Sequence, residues 1–384
     1  MAQSIENKNI TTGIRFAFRL TLTVILTFFY LIGGASNQTA HDSTVSEKSF
    51  DAGAMIMHHI ADAHEIHFFT LRDGQPDQFD AVAYLPIILW TDNGLEFFSS
   101  SNFYHNPIHV EHGHAFAYKS YILFDEVIYN ADEHGISFGE EAAVLNSSPL
   151  DLSITKTVAG LLITTFLILA IFLSVARSYR KRPNQSPKGL QSWIEPLVIF
   201  VRDDIVRPSI PGQKAEKFMP FLMTVFFFIW IANLLGLMSF LGGYNVMGSM
   251  SVTLVLAFLV FAITTYHGNK NYWKHIVWPD NIPFLIKLIL VPIEVLQVFM
   301  KPLVLMIRLT ANITAGHIII LAFTALIFIF GQDSAITGYS VGAGSLLFMV
   351  FMFFIELLVA FLQAYVFTLL SAIYFGSAVE EAHH

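Results

Sequence analysis

The sequence predicts a mainly α membrane protein: about five transmembrane helices, the last two a long tilted pair, with a small exported β-rich domain ahead of them. Three observations predict it. Of 384 residues, 54% are hydrophobic and only 13% charged, with a mean hydropathy of +0.59; a soluble domain carries about 25% charged residues. Apolar runs long enough to cross a bilayer follow residue 150, whereas residues 36–150 are polar and acidic and alternate as strands do. The basic residues of the second half cluster between its apolar runs, although the chain as a whole has a net charge of −8. The absence of cysteine excludes disulfides, iron–sulfur clusters and thiolate zinc sites.

Residues 1–35 read as a signal peptide. Lys8, Arg15 and Arg19 form a basic start, Leu20 to Ile32 is an apolar stretch short for a span, and Gly33-Gly-Ala-Ser36 offers small residues for cleavage. Residues 36–150 then form an exported, periplasmic, His-rich domain. A short helix is expected over Ala54–His64, and strands over Ala81–Trp90, Leu95–Ser99, Ala115–Phe124 and Glu126–Tyr129. Asn93-Gly94 marks a tight hairpin turn. The histidines are His58, His59, His64, His67, His105, His109, His112, His114 and His134. His64 and His67 are spaced to share a helix face, but a metal site needs three or four converging ligands, and His64-Glu-Ile-His67 lacks HExxH spacing. No metal and no catalytic residue is assigned here.

Residues 151–384 form the membrane domain. Val158–Ala176 is the first span, and Arg177-Ser-Tyr-Arg-Lys-Arg182 after it marks the cytoplasm by the positive-inside rule. Trp193–Ile210 is short, mixed and proline-bounded, as for a helix on the cytoplasmic surface. Phe218–Leu241 runs outward, Gly242-Gly-Tyr-Asn245 is an outer turn, and Ser249–Tyr266 returns inward. His267–Asp280, with Lys270 and Lys274, is cytoplasmic. Ile282–Gly331 and Gly344–Phe375 remain, joined outside, and the C-terminus is cytoplasmic. About 48 helical residues reach about 72 Å, against a hydrocarbon core of about 30 Å. The first of the pair is therefore broken, steeply tilted, or partly interfacial.

Polar residues inside these last two runs carry the functional signal. At about 100° per residue, Glu294, Gln297, Lys301, Arg308 and Asn312 fall on one stripe, with His317 on the opposite face. Glu356, Gln363 and Tyr374 fall near one line of the final helix. If Gln363 is level with Arg308, then His317 and Glu356 share a depth in the outer half, and Glu294 and Lys301 lie in the inner half. Ionisable groups within a membrane line ion paths or watery cavities. Arginine stays charged, so Arg308 is suited to repel protons and attract a carboxylate. Glu294 and Glu356 are both badly placed for it, which points to a partner in another subunit.

Lys301-Pro302, Arg308-Leu-Thr-Ala-Asn312 and Gly316-His317 resemble the signature of subunit a of F-type ATP synthases. Asn233-Leu-Leu-Gly236, Glu356, Gln363-Ala364 and Glu380-Glu381 match the same pattern in order and spacing. The resemblance covers about residues 150–381, and the polar domain resembles the N-terminal extension of some bacterial members. It implies a non-catalytic, proton-translocating subunit of the bacterial inner membrane that provides two half-channels to a ring of c subunits. Arg308 then faces the ring's carboxylate, with Asn312 and Gln363 near it. His317 and Glu356 form the outer half-channel pair, Glu294 belongs to the inner path, and Asn233 assists. Implied partners are the c ring, the peripheral-stalk b subunit, the rest of the ATP synthase and the lipid bilayer, with no nucleic acid and no cofactor. The choice between H⁺ and Na⁺ is left to the ring. Three departures stand out: His then Glu at the outer pair where many relatives have Glu then His, Val304 where some have Ser, and Gly236 where some have Asp. A secondary antiporter is the alternative, but inverted repeats are not evident in the sequence. A membrane metalloenzyme would need a complete histidine site.

Overall fold

The computed structural model describes residues 52–71, 79–92, 94–110, 113–132, 135–139, 144–183, 185–238, 243–279, 282–333 and 335–380. The signal-peptide reading lies outside these residues, as do His112 and His134 and the side chains of His58, His59 and His114. Residues 62–156 form one compact unit; residues 157–384 form a second, which includes helix α1, Ala52–Ile60.

The first unit is built from short antiparallel sheets. Strand β1, Glu65–Leu71, pairs with β2, Phe79–Tyr84. Strand β3, Pro86–Thr91, lies between β4, Gly94–Ser99, and β9, Leu150–Asp151. After the single-turn helix α2, Ser101–Tyr104, a meander follows: β5 Pro107–Val110, β6 Gly113–Tyr118, β7 Tyr121–Phe124 and β8 Val127–Asn130. Ile87, Leu89, Phe98, Phe103, Tyr121, Leu123 and Ile128 form the core.

Several expectations need correction here. Helix α1 stops at Ile60, so His64 and His67 do not share a helix; His64 lies in a loop and His67 on β1. The run Ala81–Trp90 is two strands, because Pro86 has no N–H to continue a ladder; Leu85 N, between them, donates to both the His64 carbonyl (3.2 Å) and Ser100 Oγ (3.0 Å). Ala115–Phe124 is a hairpin that turns at Lys119, where φ is 54°. Asp125 and Glu126 (φ 48° and 63°) make the next turn, between Phe124 and Val127, without the glycine that would have announced it. The hairpin expected there does close, with Thr91 paired to Gly94, although Asn93 lies outside the described residues.

Five helices of the second unit are long and apolar enough to cross a membrane. They are α3, Lys156–Lys181; α5, Lys214–Leu237; α6, Met250–His267; α8, Phe284–Asp333; and α9, Ala335–Val379. Hydroxyls within them bond back to carbonyls four residues earlier, as Thr164 does to Gly160 (2.7 Å) and Ser371 to Phe367 (2.8 Å). That satisfies polar groups in an apolar solvent. Helix α4, Leu190–Phe200, continues through a π-helical turn, Val201–Val206, to Ser209. Its Val201, Ile205 and Val206 are fully buried, and Phe200 stacks among Phe226, Phe361 and Tyr365. The segment expected on the cytoplasmic surface packs one face against α5 and α9. Between α6 and α8 lies a short helix, α7, Lys270–Val277, that the hydropathy pattern did not indicate.

Helix α8 is continuous for 50 residues, through Pro292 and Pro302, which removes the broken-helix option. It spans about 75 Å at about 1.5 Å per residue, so tilt or interfacial seating must absorb the excess over about 30 Å. Helix α9 begins nine residues before the expected Gly344, because glycine and serine dilute its apolar signal there. Those glycines permit a close return: a Cβ on Gly338 would lie 2.8 Å from the Gly331 Cα. At its other end, Lys214 Nζ and Asn269 Nδ2 both donate to the Val379 carbonyl at 3.0 Å, capping the negative end of the helix.

Candidate functional site

Helices α8 and α9 run antiparallel in one register from Lys301 to Gly331 of α8. Gly331 meets Gly338, Thr324 meets Met349, Phe323 stacks on Phe348, Gly316 meets Glu356, and Lys301 meets Tyr374. This register sets the depth of every polar group on the pair. Arg308 lies eight residues from Gly316, and Ala364 lies eight from Glu356, so Arg308 is level with Ala364 and Gln363. The polar stripe divides in its surroundings. Gln297, Arg308 and Asn312 are exposed on the chain, among exposed Leu303, Val304 and Ile307. Glu294 and Lys301 are half-buried, with Lys301 Nζ 5.3 Å above the Tyr374 ring. Among the described residues no carboxylate forms an ion pair with Arg308.

A second polar group sits where α5, α8 and α9 meet. Asn233 of α5 is buried, and its Nδ2 donates to the Ala360 carbonyl of α9 (3.3 Å). One turn earlier on α9, Glu356 is 3% exposed, and its carboxylate lies against Gly316 of α8. His317 follows in sequence but points to α5: a Cβ on Gly236 would lie 3.9 Å from its Nε2. Its Nδ1 donates to the Ile313 carbonyl (3.2 Å), which directs Nε2 toward α5. Asn233 Oδ1, Thr314 Oγ1 and Glu356 Oε2 are buried oxygens without a hydrogen-bond partner among the described residues. The structure thus brings together Asn233, His317 and Glu356. It sets Gln363, which is buried, at the level of Arg308, and it keeps Glu294 far along α8.

Sequence reading missed two contacts here. Thr310, behind Arg308, bonds Thr253 of α6 through its hydroxyl (2.6 Å). Gly316 was noticed as part of a motif, but the reason for a glycine, the adjoining carboxylate, is a contact between helices.

Comparison with known proteins bears on this arrangement. The family model described as ATP synthase A chain matches residues 158–376, more than half of the chain. The chain belongs to the ATP synthase subunit a family. An ATP synthase subunit a 2 of Chlorobaculum tepidum is 42% identical over 264 residues, covering 67% of this chain and 72% of that protein. The ATP synthase subunit a of Chloroherpeton thalassium is 39% identical over 240 residues (61% and 69%), and that of Myxococcus xanthus 37% over 259 (64% and 79%). Residues 55–152 match a separate family model, a domain of unknown function (DUF8433). The membrane half of this subunit a family member therefore contains both polar groups, and the β-rich unit is an additional module.

Proposed function

We propose that the chain is the proton-conducting stator subunit of the F-type ATP synthase membrane sector, non-catalytic itself, offering two half-channels to a c ring. Arg308 carries this reading. It is a fixed cation at mid-helix on an exposed apolar face, and a carboxylate brought by another subunit answers its charge. Asn312 shares that face, and Gln363 adjoins it in depth. His317, Glu356 and Asn233 line the outer half-channel; Asn233 Oδ1 and Glu356 Oε2, buried with no hydrogen-bond partner among the described residues, are the groups a hydrated path needs. Glu294 serves the inner path, beside Lys301. The peripheral-stalk b subunit and the remaining ATP synthase subunits complete the assembly. The basic residues after α3 support an orientation with its end in the cytoplasm of a bacterial inner membrane, the β-rich unit in the periplasm and the C-terminus inside.

Arg308→Ala tests the proposal. In vesicles containing the complex, ATP-driven acidification is expected to vanish while ATP hydrolysis persists. Normal acidification by the variant would refute the role.

A further inference from the structure

The β-rich unit carries an apolar face that its own fold leaves open. In the sheet β4-β3-β9, Ile87, Leu89 and Phe98 point into the core. The alternate residues share the other face: Leu95 is paired with Trp90, Phe97 with Ile88, and Leu150 with Trp90 across the next strand. Leu152 extends the row, its N–H donating to the Ile88 carbonyl (2.9 Å). Trp90, Leu95, Phe97, Leu150 and Leu152 are between 51% and 69% exposed. Among the described residues of β3, β4 and β9, no charged side chain alternates onto this face. Residues 62–156 nevertheless hold 15 Asp and Glu against 3 Lys and Arg. Asp151 and Glu96 in these strands both pair with Leu89, so they stand on the inner face. An exposed apolar patch kept clear of charge within so acidic a unit marks a contact surface.

We propose that this face rests on the lipid bilayer surface, with Trp90 and Phe97 at headgroup level. The argument is continuity with a membrane boundary. Strand β9 leads to Lys156, the first residue of the first span, and the residues between them are bonded to the β-rich unit itself. Ile154 N donates to the Pro86 carbonyl (3.2 Å), and Lys156 N donates to the Ala63 carbonyl (2.9 Å). Four residues from Leu152 to Lys156 reach at most about 14 Å, and the headgroup layer adds about 5–7 Å beyond the hydrocarbon. The sheet is therefore held within reach of the interface. Its open face presents a tryptophan and aliphatic chains, the side chains that favour that layer, while Glu96 and Asp151 of the same strands stand on the other face.

The chain lacks cysteine, so each variant adds one labelling site to this subunit, and the complex of the parent chain, labelled alike, gives the background to subtract. Phe97→Cys, Leu150→Cys and the reference Lys119→Cys would each be spin-labelled in the full chain, purified with its complex and placed in vesicles of phosphatidylethanolamine and phosphatidylglycerol. Collisions with oxygen, which concentrates in lipid, are compared with collisions with a water-soluble nickel chelate. Oxygen is expected to dominate at 97 and 150 and the chelate at 119. Dominance of the chelate at 97 and 150 overturns the proposal, since the face would then be in water. Shielding from both reagents also overturns it, since a protein surface or a second copy would then cover the sheet.

Discussion

The carboxylate of Glu356 fills the space that a side chain at position 316 would occupy. A Cβ on Gly316 would overlap Oε1 and Cδ of that carboxylate. Helices α8 and α9 therefore meet with the acid itself as the packing element. Gly316→Ala is expected to displace Glu356, with an overpacking cost of about 1–3 kcal/mol and a severe loss of ATP-driven proton pumping. Gly342→Ala on the same helix pair is the comparison, because its Cβ would meet Ile327 at an ordinary 3.7 Å. Equal pumping by the two variants would count against a functional carboxylate at 356.

His317 and Glu356 occupy one depth, on adjacent faces of the α5–α8–α9 junction. Each single exchange, His317→Glu or Glu356→His, puts two groups of one kind together and should slow proton entry. The double exchange restores one of each and should recover more ATP synthesis than either single variant in vesicles under an imposed gradient. A double variant no better than the worse single would show that the two act separately.

Arg308→Lys keeps the charge but loses the planar fork of five donors. It is expected to support far less ATP-driven pumping than the parent chain, and more than Arg308→Ala. Full activity would mean that charge alone suffices.

Asn233 ties α5 to α9 through the Ala360 carbonyl. Asn233→Ala removes that bond and should lower stability by about 1 kcal/mol. If Asn233 also lines the path, Asn233→Ser should pump better than Asn233→Ala at similar stability. Identical pumping by the two would leave the residue a purely structural tie.

In the β-rich unit, His64 is buried with Nε2 3.2 Å from Asp151 Oδ2 and Nδ1 3.9 Å from Glu126 Oε2. Burial alone would lower its pKa, but Asp151 and Glu126 outweigh it and raise the value from 6.5 to about 9. The folded value lies above the unfolded one. The stabilisation is therefore complete below about pH 6.5 and lost as pH rises through about 9, and it amounts to about 3 kcal/mol. Burial raises the pKa of Asp151, yet the bonds to His64 and Ser153 hold it below 3.8, so its share is lost only in acid. His64→Gln should melt below the parent chain at pH 7, and the gap should close above pH 9. A gap that is constant with pH would exclude a charged clasp.

Hydropathy and charge spacing were enough to determine a membrane protein, its five spans and the positions of Arg308, Asn312, His317, Glu356 and Gln363. Those signals are local: apolar length is a property of consecutive residues, and helical period fixes which residues share a face. The same period failed where one proline or one left-handed pair decided the outcome, as at Pro86 and at Asp125-Glu126. What only the tertiary structure decided is which helix each polar group meets. Asn233 with Ala360, His317 beside Gly236, Glu356 against Gly316 and Thr253 with Thr310 join residues distant in sequence. Those pairings follow from helix packing, which depends on complementary shapes across an interface and leaves no periodic trace in either strand of sequence.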